Sequence, residues 1–330
     1  MTVFRASAPV RLDFAGGWTD VPPFSAREGG VVVSAAIGLC AHAEVRPGGA
    51  GLRLVAQDLD AALDLPDEAA LDASGPLALL QAGLRLLPVG PCALTTRSDA
   101  PPGSGLGSSG ALDVALVAAL ASARGDVMDA GAVARLACRL EGVEAGIPGG
   151  RQDQFSAAFG GFLRLSFRDP EATVEALALD SALLAELERR MVLVYTGASR
   201  FSGTTISRVM SAYERGDRAV TGALHGLRDV AERMVEALRG GDLAAVGTLL
   251  DANWLHQQTL DPGMCTPVMD RLTRAMRGAG ALGGKAAGSG AGGSMFFLGP
   301  DDPSPAFNAA RQLGMTILPV RWSPSGVQAC

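Results

Sequence analysis

Apolar residues recur at strand spacing from Val3 to Phe14, and the run stops at an Ala-Gly-Gly turn. Residues 31–47 begin with β-branched side chains and alternate later, which reads as one long or two short strands. Residues 52–58 and 91–99 alternate in the same way, and the leucines of 75–88 fall at helical spacing. Two helices follow, over 107–124 and 129–145. A loop from 146 runs into a short helical piece before 162. Strands are expected at 162–167 and 191–197, with a helix at 180–190 between them. From Arg200 to Gly278 the pattern is nearly all helical, broken near Gly216, Gly240–Gly241 and Pro262. The chain then returns to strand, glycine turn and strand over 280–300. It ends in a helix at 304–313 and a strand at 315–322. Strands with helices, then a helical middle, then a strand–glycine–strand unit describe an α+β chain in two lobes, with the change of pattern around 178–198.

The 330 residues allow one large or two ordinary domains, and a hydrophobic content of 48% supplies a core and excludes a disordered chain. The net charge of −6 argues against a general nucleic-acid binder but leaves a local phosphate site open. Lysine occurs once, at Lys285, in a chain whose wealth of Ala, Gly and Arg fits GC-rich coding. The five cysteines are scattered, with no Cys-x-x-Cys pair and no Cys/His cluster, so zinc and redox chemistry are not indicated. They read as reduced, mostly buried thiols of a cytoplasmic protein. The first residues lack the apolar stretch of a secretory signal. The longest apolar run, at 31–41, is too short to span a bilayer.

Four stretches carry chemistry. In PPGSGLGSSGAL (101–112) the alternating glycines Gly103, Gly105 and Gly107 precede a helix. Each costs backbone entropy, so a plain loop-to-helix join does not explain them. Bare amides at a helix start form an anion site. Ser108 and Ser109, in the first turn, can cap the helix, bind a phosphate or reach a metal beside it. No Gly-Lys-[Ser/Thr] follows, so this is not the P-loop, and the spacing is not that of a dinucleotide fold. In GIPGGRQDQF (146–155), Asp153 stands beside Arg151, Gln152 and Gln154. An acid on a loop is most often solvated, yet one held near cations stays ionised and can take or orient a hydroxyl proton. RLDFAGGWTDVPPF (11–24) delivers Arg11 and Asp13 on a strand, then Gly17, Trp18, Thr19 and Asp20 on a turn. Polar groups beside an aromatic face suit a sugar, although a strand–turn with a salt bridge would look similar. KAAGSGAGG (285–293) adds a second glycine-rich loop around Gly290, just after Lys285.

In this order the four stretches resemble the GHMP kinases, the superfamily named for galactokinase, homoserine, mevalonate and phosphomevalonate kinases. PPGSGLGSSGAL resembles that family's phosphate-binding motif, RLDFAGGWTD its N-terminal substrate motif and KAAGSGAGG its C-terminal glycine motif. The resemblance implies a two-lobed GHMP kinase fold, with a ribosomal protein S5-like N-terminal lobe (1–185) and a ferredoxin-like C-terminal lobe (186–330). It implies ATP with Mg²⁺. Pro102, Gly103, Gly105, Leu106, Gly107, Ser108, Ser109 and Gly290 would hold the nucleotide. Asp153 would be the base or hydroxyl-orienting acid, and Arg11 its partner in bearing charge. Ser109 and Glu141 would be the metal-side residues. Asp20, with Gly17, Trp18, Thr19, Arg151 and Gln152, would face the acceptor. Within the family, AGGWTDVPP and GGRQDQFSAAFGGF look most like the sugar-1-kinase branch of heptose-7-phosphate kinase and fucokinase. The heptose kinases usually carry Gly where Trp18 stands, and Trp18 before Pro22-Pro23 looks more like fucokinase. A sugar 7-phosphate would need a cation, with Arg151, Arg200 and Lys285 as candidates. The same fold hosts an ATP-using decarboxylase, and a non-catalytic sugar or nucleotide sensor is the remaining alternative. The expected partners are a small sugar or sugar phosphate, with no nucleic acid and no membrane, in a monomer or homodimer.

Overall fold

The computed structural model describes residues 2–197 and 202–330. The first sheet has eight strands. Strand β1 (Phe4–Ala15) pairs along its length with β2 (Gly30–Pro47). The ambiguous 31–47 stretch is thus one long strand with two further partners. Its second half pairs with β5 (Cys92–Ser98) and its first half with β6 (Phe162–Arg168). Strands β3 (Leu52–Ala56) and β4 (Ala61–Leu65) extend one edge, and β7 (Glu171–Ala176) flanks β6. The final strand, β12 (Gln328–Ala329), returns to pair with β1. A second sheet, in the order β11–β8–β10–β9, joins β8 (Met191–Tyr195), β9 (Gly283–Ala286), β10 (Ser294–Leu298) and β11 (Thr316–Leu318).

The helices follow the apolar periods. A short α1 (Phe24–Glu28) closes the Trp18–Pro23 turn, and α2 (Ala78–Leu86) packs on α3 (Ser108–Arg124). Helix α3 is apolar nearly all round and buried against β1 and β2, as a core helix must be. Helix α4 (Ala130–Arg139) ends where the sequence predicts continuation. Residues 140–144 instead form one wide turn closed by the Ala145 N–H on the Leu140 carbonyl at 2.9 Å. Such π-type turns recur at functional sites because they swing a side chain off the regular helical face. This one carries Glu141. Helix α5 (Gln152–Phe159) starts immediately after the Gly-Gly loop. The helical middle resolves into α7 (Ser202–Glu214), α8 (Arg218–Arg239), α9 (Leu243–Leu260) and α10 (Pro267–Gly278), with α6 (Ser181–Arg190) before it and α11 (Ser304–Gln312) after.

Phe14 of the first sheet packs on Phe296 of the second at 5.4 Å between ring centroids. One apolar cluster therefore runs between the sheets, and a second packs the other face of the smaller sheet against α1 and the helical middle. Among the described residues, no helix is long and apolar enough to cross a membrane.

Candidate active site

The two glycine loops, the Gly17–Asp20 turn and the start of α5 meet around one cleft of about 680 Å³. Its nucleotide-like end begins at α3. Gly103, Gly105 and Gly107 all have positive φ (68°, 73° and 76°), a region that costs glycine nothing. Gly107 precedes α3 without any side-chain cap, so the first amides of the helix stay open toward the cleft. Among the described residues, Ser108 Oγ is buried without a partner. The second glycine loop closes over the first. A Cβ on Gly288 would lie 2.3 Å from the Gly105 carbonyl oxygen, so only glycine permits this approach. Gly288→Ala should therefore push the loops apart, since overpacking of this kind costs about 1–3 kcal/mol. Titration calorimetry with a non-hydrolysable ATP analogue should show a Kd raised by about tenfold or more.

Arg11 and Asp153 stand between the two ends. The guanidinium directs Nε (2.9 Å) and Nη2 (2.8 Å) at the same Asp153 oxygen, Oδ1. Its Nη1 donates to the carbonyls of Gly105 (2.9 Å) and Ala287 (3.0 Å), one on each glycine loop. Among the described residues, Asp153 Oδ2 has no hydrogen-bond partner and remains available to a hydroxyl.

The wide turn after α4 brings Glu141 to the start of α3. Ser109 Oγ donates to Glu141 Oε1, and Gln154 Nε2 donates to Glu141 Oε2, both at 2.6 Å. Burial pushes the Glu141 carboxyl up and the nearby Asp153 adds to this, while the two hydrogen bonds oppose it. Among the described residues, no three or more His, Cys, Asp or Glu converge to hold a metal. Hard cations such as Mg²⁺ are commonly held by one or two protein oxygens plus substrate phosphates, and the Ser109–Glu141 pair fits that donor set.

At the acceptor-like end, Asp20 Oδ2 accepts from the backbone N–H groups of Arg151 (2.8 Å) and Gln152 (2.9 Å). Burial raises its pKa from 3.8 to about 6 against those hydrogen bonds, with Asp153 and Asp13 adding repulsion. Folding thus favours protonated Asp20. Its contribution to stability is full below pH 3.8 and is lost as the pH rises through 6. The loss amounts to about 3 kcal/mol. The resemblance implies that Asp20 meets the acceptor hydroxyl; the ionised form is the better hydrogen-bond acceptor, so on that reading kcat/KM for the acceptor should rise through pH 6. The pH profile of Asp20→Asn should lack that limb. Trp18 lines the cleft with φ +80°, a conformation natural to glycine, and its buried Nε1 has no partner among the described residues.

Several side chains expected at the site face elsewhere. Lys285 is fully buried and donates to the Asp13 carbonyl (2.6 Å) and Oδ2 (2.8 Å), so it does not line the cleft. The Arg151 side chain turns to the Pro170 carbonyl and the Phe167 ring; only its backbone serves Asp20. Thr19 Oγ1 is spent on the Gly16 and Val31 carbonyls. Leu106 is a core residue whose carbonyl accepts from the Arg11 N–H at 2.9 Å. Arg200 lies outside the described residues. Gln152, Gly17, Pro102 and Gly290 do line the cleft, as do Gly288, Ser289 and Gly292 of the same glycine-rich loop. Asp113 is a residue that sequence reasoning misses. It is wholly buried in α3 within 3.4 Å of Gln154 Nε2, and burial raises its pKa well above the usual carboxylate range, with Glu141 adding to this. An acid in the otherwise apolar run ALDVALVAAL is its signal.

Comparisons with known proteins show the family of the chain. The family model of the GHMP kinases N terminal domain matches residues 74–161, and that of the GHMP kinases C terminal matches residues 234–314. D-glycero-alpha-D-manno-heptose 7-phosphate kinase of Campylobacter jejuni is 29% identical over 95% of this chain and 94% of that protein. The bifunctional fucokinase/GDP-fucose pyrophosphorylase of Arabidopsis thaliana is 28% identical over 90% of this chain, which spans 30% of that longer protein. The crystal structure of a D-glycero-D-manno-heptose 1-phosphate kinase from Bacteriodes thetaiotaomicron matches with a TM-score of 0.81 and 27% identity, over 99% of this chain and 98% of that one. The chain belongs to the GHMP kinase family. Within it the chain is a sugar kinase, a phosphotransferase with an alcohol group as acceptor, close to the heptose phosphate kinases and fucokinases; ATP is the phosphoryl donor that the family implies.

Proposed function

We propose that this kinase transfers the γ-phosphoryl group of ATP to the anomeric hydroxyl of a sugar. The acceptor proposed first is D-glycero-D-manno-heptose 7-phosphate, giving the 1,7-bisphosphate. The observation that carries the reading is Asp153, held by Arg11 between the open start of α3 and the Asp20 turn, with Oδ2 free of any partner among the described residues. In this reading Asp153 Oδ2 receives the acceptor's hydroxyl hydrogen bond and takes or orients its proton. Arg11 stays between Asp153 and the two glycine loops and stabilises charge as it develops. The amides at the start of α3 and the Gly288–Gly290 loop hold the phosphates. Ser109 and Glu141 would hold Mg²⁺, which supplies charge neutralisation on the phosphates. The division of the chain at 185/186 into N- and C-terminal lobes belongs to the same proposal.

The heptose reading draws on the relatives named heptose kinases. L-fucose is a second reading, favoured by Trp18 in the cleft and by Arg151 and Lys285 turning away from it. Phosphorus NMR with ATP, Mg²⁺ and a panel of heptose 7-phosphate, fucose, mannose and galactose separates them. A new anomeric phosphate from one sugar names the acceptor. ATP binding without turnover across the panel would sink both readings.

A further inference from the structure

The one lysine of this chain is not idle. Lys285, on β9 three residues before Gly288, is wholly buried with its ammonium on the carbonyl and Oδ2 of Asp13. The other Asp13 oxygen, Oδ1, accepts the Gly17 N–H at 3.3 Å. One carboxylate is therefore shared between the strand that leads into the nucleotide-side loop and the turn that carries Trp18 and Asp20. There is no slack: a Cβ on Gly17 would lie 2.2 Å from Asp13 Oδ2. A second tie runs parallel. On α9, Asn253 Oδ1 accepts the Gly16 N–H at 2.9 Å, and one turn later Gln257 Nε2 donates to the Gly288 carbonyl at 2.7 Å. Burial pulls the Lys285 pKa down while Asp13 opposes it, as expected for a pair that neutralises itself inside the protein. A buried ion pair is weak evidence for stability, but its directional bonds fix geometry well.

We propose that Asp13, gripped by the buried Lys285, is the positioning residue of the acceptor turn, setting Gly17 and Trp18 at a fixed distance from the nucleotide-side loop. The proposal rests on the acceptor reading of the Gly17–Asp20 turn. Asp13 borders the cleft, but in this role it acts by holding Gly17, and Lys285 acts through Asp13.

The test compares the full chain with Asp13→Asn, Lys285→Met and the double variant, in which the buried pair becomes neutral. Each single variant should raise the acceptor KM by about tenfold and leave the Kd of an ATP analogue within about twofold. In protein made with fluorotryptophan, the Trp18 resonance should shift in the single variants, while those of Trp254 and Trp322 stay. The double variant should regain thermal stability, because no charge is left buried alone, yet keep the raised acceptor KM. If it regains wild-type acceptor KM together with stability, the pair is only a scaffold and the proposal falls. If no sugar is turned over by the wild type, the acceptor reading fails by itself. The fluorine spectrum then decides alone, and an unmoved Trp18 signal overturns the positioning role.

Discussion

Asp153→Asn should lower kcat by about 10²–10⁴-fold while both substrates still bind. The amide is the same shape as the carboxylate. Arg11 presents only donors to Oδ1, so the amide oxygen must stay there and the NH₂ must take the place of Oδ2. The group that meets the acceptor hydroxyl then becomes a donor and can no longer receive its proton. Little else changes, because the Asp153 side chain is 27% exposed and its Arg11 contact survives. Calorimetry for both ligands and single-turnover chemistry would check the split. Near-normal Kd values with a collapsed chemical step support the role. A loss of less than about tenfold would reduce Asp153 to orienting the hydroxyl. Weakened ATP binding would instead point to disturbance of the glycine loops, which lie so close that a Cβ on Gly107 would stand 3.1 Å from the Asp153 carboxyl.

The strands at 3–14, 52–58, 91–99 and 162–167 are legible in the sequence because they are buried on at least one face and their apolar alternation is strong. Strands β4 and β7 are not, since AALDL and EATVEA are largely exposed pieces at sheet edges, held by backbone pairing more than by apolar side chains. The glycine loops stand out because only close approach or positive φ explains so much glycine. The direction of single polar side chains is not legible. Arg151 sits in the expected loop, yet a ring and a carbonyl behind that loop claim its side chain. Lys285 sits beside the glycine motif, but β9 pairs with β10 so that its side chain enters the core, toward Asp13. Such choices depend on partners far away in the chain. The wide turn at 140–144 is hidden for a different reason: its residues suit an ordinary helix, and the change of hydrogen-bond period leaves no composition signal.

Arg11→Met should cost about 10²–10³-fold in kcat/KM, the scale of losing one preorganised charge stabiliser. It should differ in kind from the Asp153 variant. Arg11 is 5% exposed and ties three things together: Asp153, the Gly105 carbonyl of the first glycine loop and the Ala287 carbonyl of the second. Methionine fills the space but leaves both carbonyls without that donor and the carboxylate without its counter-charge. The KM for ATP should therefore rise along with the fall in kcat. Arg11→Lys keeps a point charge but not the planar fork, so it cannot meet all three acceptors in the same geometry. It should fall between methionine and wild type, with the ATP effect partly restored. The double variant with Asp153→Asn supplies the sharper measurement. If Arg11 acts on chemistry mainly by holding Asp153, the loss in kcat should be close to that of the worse single variant, because the two residues work as one unit. Losses that multiply would assign Arg11 a separate charge-stabilising step, independent of the carboxylate it holds.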